Sequence, residues 1–278
     1  MSEADAIARA GDDPATTASI IKDLRSLGDS AGSVLLVHSS LSAIGWVCGG
    51  ATAVVDALLG AVEPGTIVVP THSSDLSEPS LWANPPTPEH WWPVIRETMP
   101  VFSTHRTPTR GMGRVPEALR TLPGALRSEH PTASFAAFGS RAKEICSVHD
   151  LEDSLGNRSP LGTLYGANAD VLLLGVGYDR CTSLHLAERR AFGGQQQNIR
   201  TGSPMMVDGA RTWVAYSEPE WISDDFEALG SDFEDDARHV RIGKIAAADA
   251  RLMSLVTLVD YAVDWLKRSR LPDGRLPG

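Results

Sequence analysis

Residues 34–70 read VLLVHSSLSAIGWVCGGATAVVDALLGAVEPGTIVVP, and their order decides the fold. Val34-Leu35-Leu36-Val37 is a short, wholly apolar run of buried-strand length. After Gly49-Gly50, the residues Val54, Val55, Leu58 and Leu59 recur at helical spacing from about Ala51 to Val62. Glu63-Pro64-Gly65 stops that helix, and Thr66 to Pro70 is a second apolar strand. A strand, a helix and a strand in this order predict two parallel strands joined by a crossover.

On the N-terminal side, Ile20, Ile21, Leu24 and Leu27 predict a helix over Thr16 to Leu27, stopped by Gly28. On the C-terminal side the pattern breaks. Residues 72–100 hold Pro79, Pro85, Pro86, Pro88 and Pro93 together with Trp82, Trp91 and Trp92, an ordered loop with a short helix rather than a linker. Further on, the sequence predicts a helix at Val115 to Leu122 and strands at Ser134 to Phe138 and Val171 to Val176. A helix is expected at Ser183 to Ala191 and a hairpin over Pro204 to Tyr216 around Asp208-Gly209. A last amphipathic helix is predicted over about Gly243 to Lys267. The expected fold is α/β, a mixed and largely parallel central sheet flanked by helices. It carries an irregular Trp/Pro-rich insertion, a hairpin and acidic segment at about 200–238, and a C-terminal amphipathic helix. The whole, 1–278, reads as a single domain.

With 42% hydrophobic and 22% charged residues, the chain can bury a core of its own. No apolar run approaches the ~18 residues of a membrane span, and the first residues, MSEADAIARAGDD, form no signal core. A cytoplasmic protein with no membrane partner is expected. Cys48, Cys146 and Cys181 form no CxxC pair, which argues against a disulfide framework. A formal net charge of −10 argues against nucleic acid as partner. Every formal charge from Glu218 to Asp236 is negative: either a solvated face or a field that attracts a polycation.

Three segments could carry chemistry. His38-Ser39-Ser40-Leu41 leaves the first strand with hydroxyls and amides that could meet a phosphate, or it is an ordinary capped turn. Arg106, Arg110 and Arg114 cluster around Gly111-Met112-Gly113, an anion site or a salt-bridged loop. His185 and Glu188 stand at i and i+3 on one helical face, where a carboxylate can fix an imidazole as a general base or simply make a structural pair. A zinc reading of Cys181, His185 and Glu188 lacks the second half of a structural zinc motif, so no metal is expected.

Taken together, six segments resemble the aminoglycoside 3-N-acetyltransferase family over Thr17 to Phe233. They are VHSSLSAIGWVCGG (37–50), PTHSSD (70–75), TPTRGMGRVPEALRT (107–121), RSEHPTASFAAFG (127–139), GNRSPLGTLY (156–165) and LLLGVGYDRCTSLHLAE (172–188). The resemblance implies a fold unlike that of the GNAT acetyltransferases. Indeed no Arg/Gln-x-x-Gly-x-Gly/Ala stands in the sequence: Arg110-Gly-Met-Gly-Arg ends in Val115. It implies acetyl-CoA as co-substrate and the 3-amino group of a 2-deoxystreptamine aminoglycoside as acceptor. His38, Ser39, Ser40 and Leu41 would meet the CoA pyrophosphate. Thr71, Ser73, Arg110, Gly111, Met112, Gly113 and Val115 would flank its pantetheine and phosphates. His185 would be the base and Glu188 its orienting partner. Groups at Thr71 to Ser73 would stabilise the oxyanion. Asp75 and Asp153, and after them Asp179 and Asp225, would hold the other ammonium groups. Rival readings are a non-antibiotic amine as acceptor, or a silent CoA- or polycation-binding relative. The expected assembly is a monomer or homodimer.

Overall fold

The structure, a computed structural model, describes residues 3–28, 31–237 and 240–271. Its first half contains α1 (Glu3–Ala10), α2 (Thr17–Leu27), β1 (Val34–Ser39), α3 (Leu41–Ile44), α4 (Gly50–Val62), β2 (Thr66–Pro70), α5 (Trp92–Thr98), α6 (Arg114–Arg120), β3 (Leu126–Arg127) and β4 (Phe135–Gly139). Then come α7 (Ala142–Cys146), α8 (Pro160–Gly166), β5 (Asp170–Leu174), α9 (Ser183–Phe192), β6 (Asn198–Val207) and β7 (Ala210–Pro219). The last elements are α10 (Phe226–Ala237), β8 (Arg241–Ile245), β9 (Ala248–Ser254) and α11 (Leu255–Ser269).

Seven strands form one sheet in the order β3-β4-β2-β1-β5-β9-β8. The predicted β1–α4–β2 unit forms, and β1 pairs in parallel with β2 on one side and with β5 on the other. The outer strands β4, β3, β9 and β8 all pair antiparallel. Parallel pairing is thus confined to the three central strands, and the sheet is mixed rather than largely parallel.

Strand periodicity places alternate residues of β1 on opposite faces. Leu36 joins Val68, Val171 and Leu173 in a core closed by α8, α9 and α11. Leu35 and Val37 join Ile67, Val69, Leu172 and Leu174 under α2, α4 and α6. Leu36 is fully buried; burying a leucine contributes about 1.5–3 kcal/mol. Helix α2 starts where predicted because Thr16 and Ser19 form a reciprocal capping box, and it stops at Gly28, whose φ of 105° suits glycine.

The segment 243–267 departs from expectation. Its first half is β8, a turn at Ala246 and β9, and helix α11 begins only at Leu255. Ala248, Ala250 and Leu252 alternate toward the α2/α4 core, and β9 pairs with β5 from Asp170↔Ser254 to Leu174↔Ala250. Alternating apolar residues fit both a strand and a helix, and pairing with the central sheet selects the strand. The Trp/Pro-rich insertion is a series of single 3-10 turns followed by α5. The hairpin exists and is longer than expected, turning through Asp208 (φ 50°) and Gly209 (φ 78°), the left-handed pair that a two-residue turn needs. Among the described residues, no helix is long and apolar enough to cross a membrane.

Candidate active site

The three parallel strands end together, β1 at Ser39, β2 at Pro70 and β5 at Leu174. A cleft of about 910 Å³ opens at these ends. Crevices outside the carboxyl ends of parallel strands are where open α/β sheets bind ligands. One wall is the His38-Ser39-Ser40-Leu41 turn together with Gly49 and Gly50, where α4 begins. Gly49 has φ 89°, and the helix start behind it brings the positive end of a dipole. Gly111-Met112-Gly113 and Arg114 also line the cleft, as do Arg180 and Thr182. Two guanidinium groups and a helix start in one cleft suit an elongated anion.

Other expected ligand contacts lie elsewhere. Val115 is buried in the α2/α4 core, because α6 turns it inward. Arg110 extends to Asp75, with Nη1 4.0 Å from the carboxylate, and its neighbour Arg114 is the one on the cleft. Thr71 and Ser73 are fully buried. Their amides donate to the carbonyls of Ser134 and Thr132, both at 2.8 Å. Their hydroxyls donate to the carbonyls of Ser134 (3.0 Å) and Pro131 (2.7 Å). Arg127 ties this region together, giving Nη2 to the Thr71 carbonyl and Nη1 to that of Thr107, each at 2.6 Å. Burial lowers its pKa to about 10, still a cation at neutral pH. These groups hold the loop, and the amides and hydroxyls of Thr71 and Ser73 are already engaged within the chain. By contrast, the buried atoms Ser39 Oγ, His72 Nε2 and Ser183 Oγ have no partner.

Helix α9 carries the histidine–carboxylate pair. His185 Nδ1 lies 2.5 Å from Glu188 Oε2, and Glu188 is 1% exposed against 14% for His185. The imidazole sits between the rings of Phe226 and Trp221, with centroids at 4.9 and 5.5 Å. His185 itself is not among the residues that line the cleft. The connection runs through Thr182, which lines the cleft one turn earlier and whose Oγ1 is 3.4 Å from His38 Nε2. His38 is held neutral, its pKa lowered to about 3 by burial and then by the nearby His185.

All four expected substrate acids have basic partners inside the chain. Asp75 faces Arg110, Asp153 accepts from Arg189 Nε at 2.7 Å, Asp179 forms an ion pair with Arg180 Nε at 2.8 Å, and Asp225 accepts from Arg270 Nε at 2.9 Å. The acidic run is also largely engaged. Glu218 accepts from Ser154, Glu227 from the Asp179 amide, Asp232 from Trp265, Glu234 from Arg251 and Asp236 from Tyr261. Three residues of this region carried no mark of their role in the sequence: Thr182, Arg180 and Arg270. Arg180 stands beside an acid in a turn, and Arg270 reaches the pair from 82 residues away, so spacing could not find it. Among the described residues, no group of three His, Cys, Asp or Glu could hold a metal ion.

A mixed α/β sheet with an anion-suited cleft at its parallel strand ends, and a carboxylate–imidazole pair on the helix that follows Thr182, suits a group-transfer enzyme with an anionic co-substrate. The chain belongs to the aminoglycoside 3-N-acetyltransferase family, whose profile matches residues 36–267. It is 48% identical to the SPbeta prophage-derived aminoglycoside N(3')-acetyltransferase-like protein YokD of Bacillus subtilis (strain 168), over 91% of this chain and 92% of that protein. The crystal structure of YokD superposes with a TM-score of 0.89, at 45% identity, covering 92% of this chain and 94% of that one. Aminoglycoside N(3)-acetyltransferase VIII of Streptomyces fradiae is 36% identical over 96% of both chains. The structure of AAC-IIIb in binary complex with CoASH superposes with a TM-score of 0.82 at 30% identity, covering 92% of this chain and 97% of that one.

Proposed function

We propose that the chain transfers the acetyl group of acetyl-CoA to the 3-amino group of a 2-deoxystreptamine aminoglycoside in the cytoplasm, by direct transfer in a ternary complex. The observation that carries this reading is the His185–Glu188 pair at 2.5 Å, one helical turn along the chain from Thr182, which lines the cleft. Acetyl-CoA would lie along the cleft, with its phosphates toward Arg114, Arg180 and the start of α4. The relative AAC-IIIb binds CoASH on the same fold. An aminoglycoside amine is largely protonated in water and attacks only as the free base. His185 would accept its proton as the new N–C bond forms, and Glu188 would offset the charge that develops on the imidazole. The C–S bond then breaks, the proton taken up by His185 passes to the departing thiolate, and CoA leaves as the thiol.

A second reading, an acceptor amine with fewer charges than an aminoglycoside, is favoured by one observation. Asp75, Asp153, Asp179 and Asp225 are each paired with an arginine of the chain itself. Free-thiol release from acetyl-CoA decides between the readings when gentamicin-, kanamycin-, neomycin- and apramycin-type antibiotics are assayed beside monoamines and diamines. Turnover with a deoxystreptamine antibiotic and a product acetylated at the 3-amino group supports the first reading. Turnover confined to simple amines replaces it with the second.

A further inference from the structure

Arg270 ends helix α11 and lies outside the matched segment 36–267. Its side chain is 2% exposed and bridges two carboxylates from separate parts of the chain. Nη1 donates to Glu188 Oε1, Nε donates to Asp225 Oδ2 at 2.9 Å, and Nη2 donates both to Asp225 Oδ1 and to the Ile222 carbonyl at 3.2 Å. Glu188 therefore holds the imidazole with one oxygen and the guanidinium with the other.

We propose that Arg270 is a positioning residue for the transfer reaction, acting through Glu188 to fix the orientation of His185 and keep its imidazole able to accept a proton. The proposal rests on His185 being the base. A carboxylate with 1% exposure demands a compensating charge. If His185 were the only source, the pair would capture a proton and the base would be occupied before any amine arrived. Arg270 supplies the positive charge without a proton. Asp225 in turn offsets part of Arg270, so Glu188, Arg270 and Asp225 together carry one net negative charge. That charge is neutralised when His185 takes a proton from the amine, so the assembly favours the transition state.

The other groups around His185 do not supply this charge. Phe226 and Trp221 present rings. His38 and His72 are held neutral, with pKa values lowered to about 3 by burial and then by His185. Glu218, on the strand leading to Trp221, accepts from Ser154 and Trp221 packs beside it; burial raises its pKa.

The test follows the His185 imidazole by NMR in the full chain, its signals assigned by their loss in His185→Ala, together with the pH profile of kcat/KM. In Arg270→Met the carboxylates lose their cation, so the His185 titration and the acid limb of the profile move up together by about one pH unit or more. Arg270→Lys keeps the charge and leaves the limb near its wild-type position, with a lower kcat because one ammonium cannot fork between two carboxylates. Asp225→Asn removes a negative charge and moves the titration down, and it decides the matter if Arg270→Met does not fold. A titration that stays in place in the folded variants, or one that Lys displaces as far as Met, overturns the proposal even if kcat falls. An acid limb that persists in His185→Ala rejects His185 as the base. A limb that belongs to His185 yet ignores residue 270 rejects only the role of Arg270.

Discussion

His185 and Glu188 stand one turn apart on α9, with Nδ1 and Oε2 2.5 Å apart. The contact spends Nδ1 on the carboxylate and leaves Nε2 as the nitrogen that can take a proton from an acceptor amine. Replacing His185 by Ala should lower kcat by about 10² or more, the scale of a lost general base, while KM for acetyl-CoA changes little. Steady-state rates by thiol release check this. A variant within about threefold of wild type would remove the imidazole from the chemistry.

The cleft depends on backbone approach at Gly113, where φ is 87° and an added Cβ would reach toward the Ser39 carbonyl at 3.9 Å. There is room for a methyl group, so the penalty is conformational. With ψ at −179° this backbone region is essentially reserved to glycine, so another residue costs about 1–3 kcal/mol, and the loop would relax away from Ser39. Gly113→Ala should therefore raise KM for acetyl-CoA by about fivefold or more with a smaller effect on KM for the amine. An unchanged KM for acetyl-CoA would give the 111–113 loop a purely structural role.

The central β1–α4–β2 unit could be read from the sequence because local signals agree there: an apolar run, a glycine-opened helix and a proline-glycine stop. The hairpin was equally legible, since Asp208-Gly209 supplies two left-handed residues side by side. The β8–β9 pair was not, because Ala248, Ala250 and Leu252 become a strand only when β5 offers an edge. The same limit applies to the site. The His-x-x-Glu spacing guarantees that two side chains meet on a helix, so the pair was visible. Which way Thr71 and Ser73 point, and which arginine neutralises Asp153 or Asp225, depends on partners far off in the chain. A sequence displays charge without displaying its partner.

That distinction bears on the acidic run. Glu218, Asp225, Glu227, Asp232, Glu234 and Asp236 each accept a hydrogen bond within the chain, and Glu220, Asp224 and Asp235 are exposed, as are Glu227, Asp232 and Asp236, whose donors are neutral. Exposed charges act weakly at physiological salt, where the screening length is about 8 Å. Neutralising three of them together, as Glu220→Gln, Asp224→Asn and Asp235→Asn, should change KM for a cationic amine by less than about twofold at 0.15 M salt. A KM that climbs steeply with ionic strength in wild type, and loses that dependence in the triple variant, would show that the run steers the substrate after all.

Acid should destabilise the fold through its buried histidines. His130 and His149 stack at 4.6 Å between centroids. His130 Nδ1 accepts from the amides of Thr132 (3.2 Å) and Ala133 (3.0 Å), which fixes it as a neutral ring. Burial pushes the pKa of His130 down to about 4 and those of His38 and His72 to about 3, and it pushes His149 well below its ordinary value. In the unfolded chain each titrates near 6.5. Above that pH neither state binds the proton, and the stabilisation is fully present. As pH falls below it, the unfolded chain takes up protons that the folded chain refuses, and stability is lost until the folded pKa is reached. Each such histidine contributes a slope of about 1.4 kcal/mol per pH unit in that window. Urea unfolding should therefore show a steep loss of stability from pH 6.5 to 4.5. His130→Asn keeps an acceptor for the Thr132 and Ala133 amides and removes one titrating ring. It should be less stable than wild type at pH 7.5 through lost packing, yet its pH dependence should be shallower by about 1.4 kcal/mol per unit. Parallel curves for the two proteins would mean that residue 130 binds its proton equally in both states, contrary to its burial and its two amide donors.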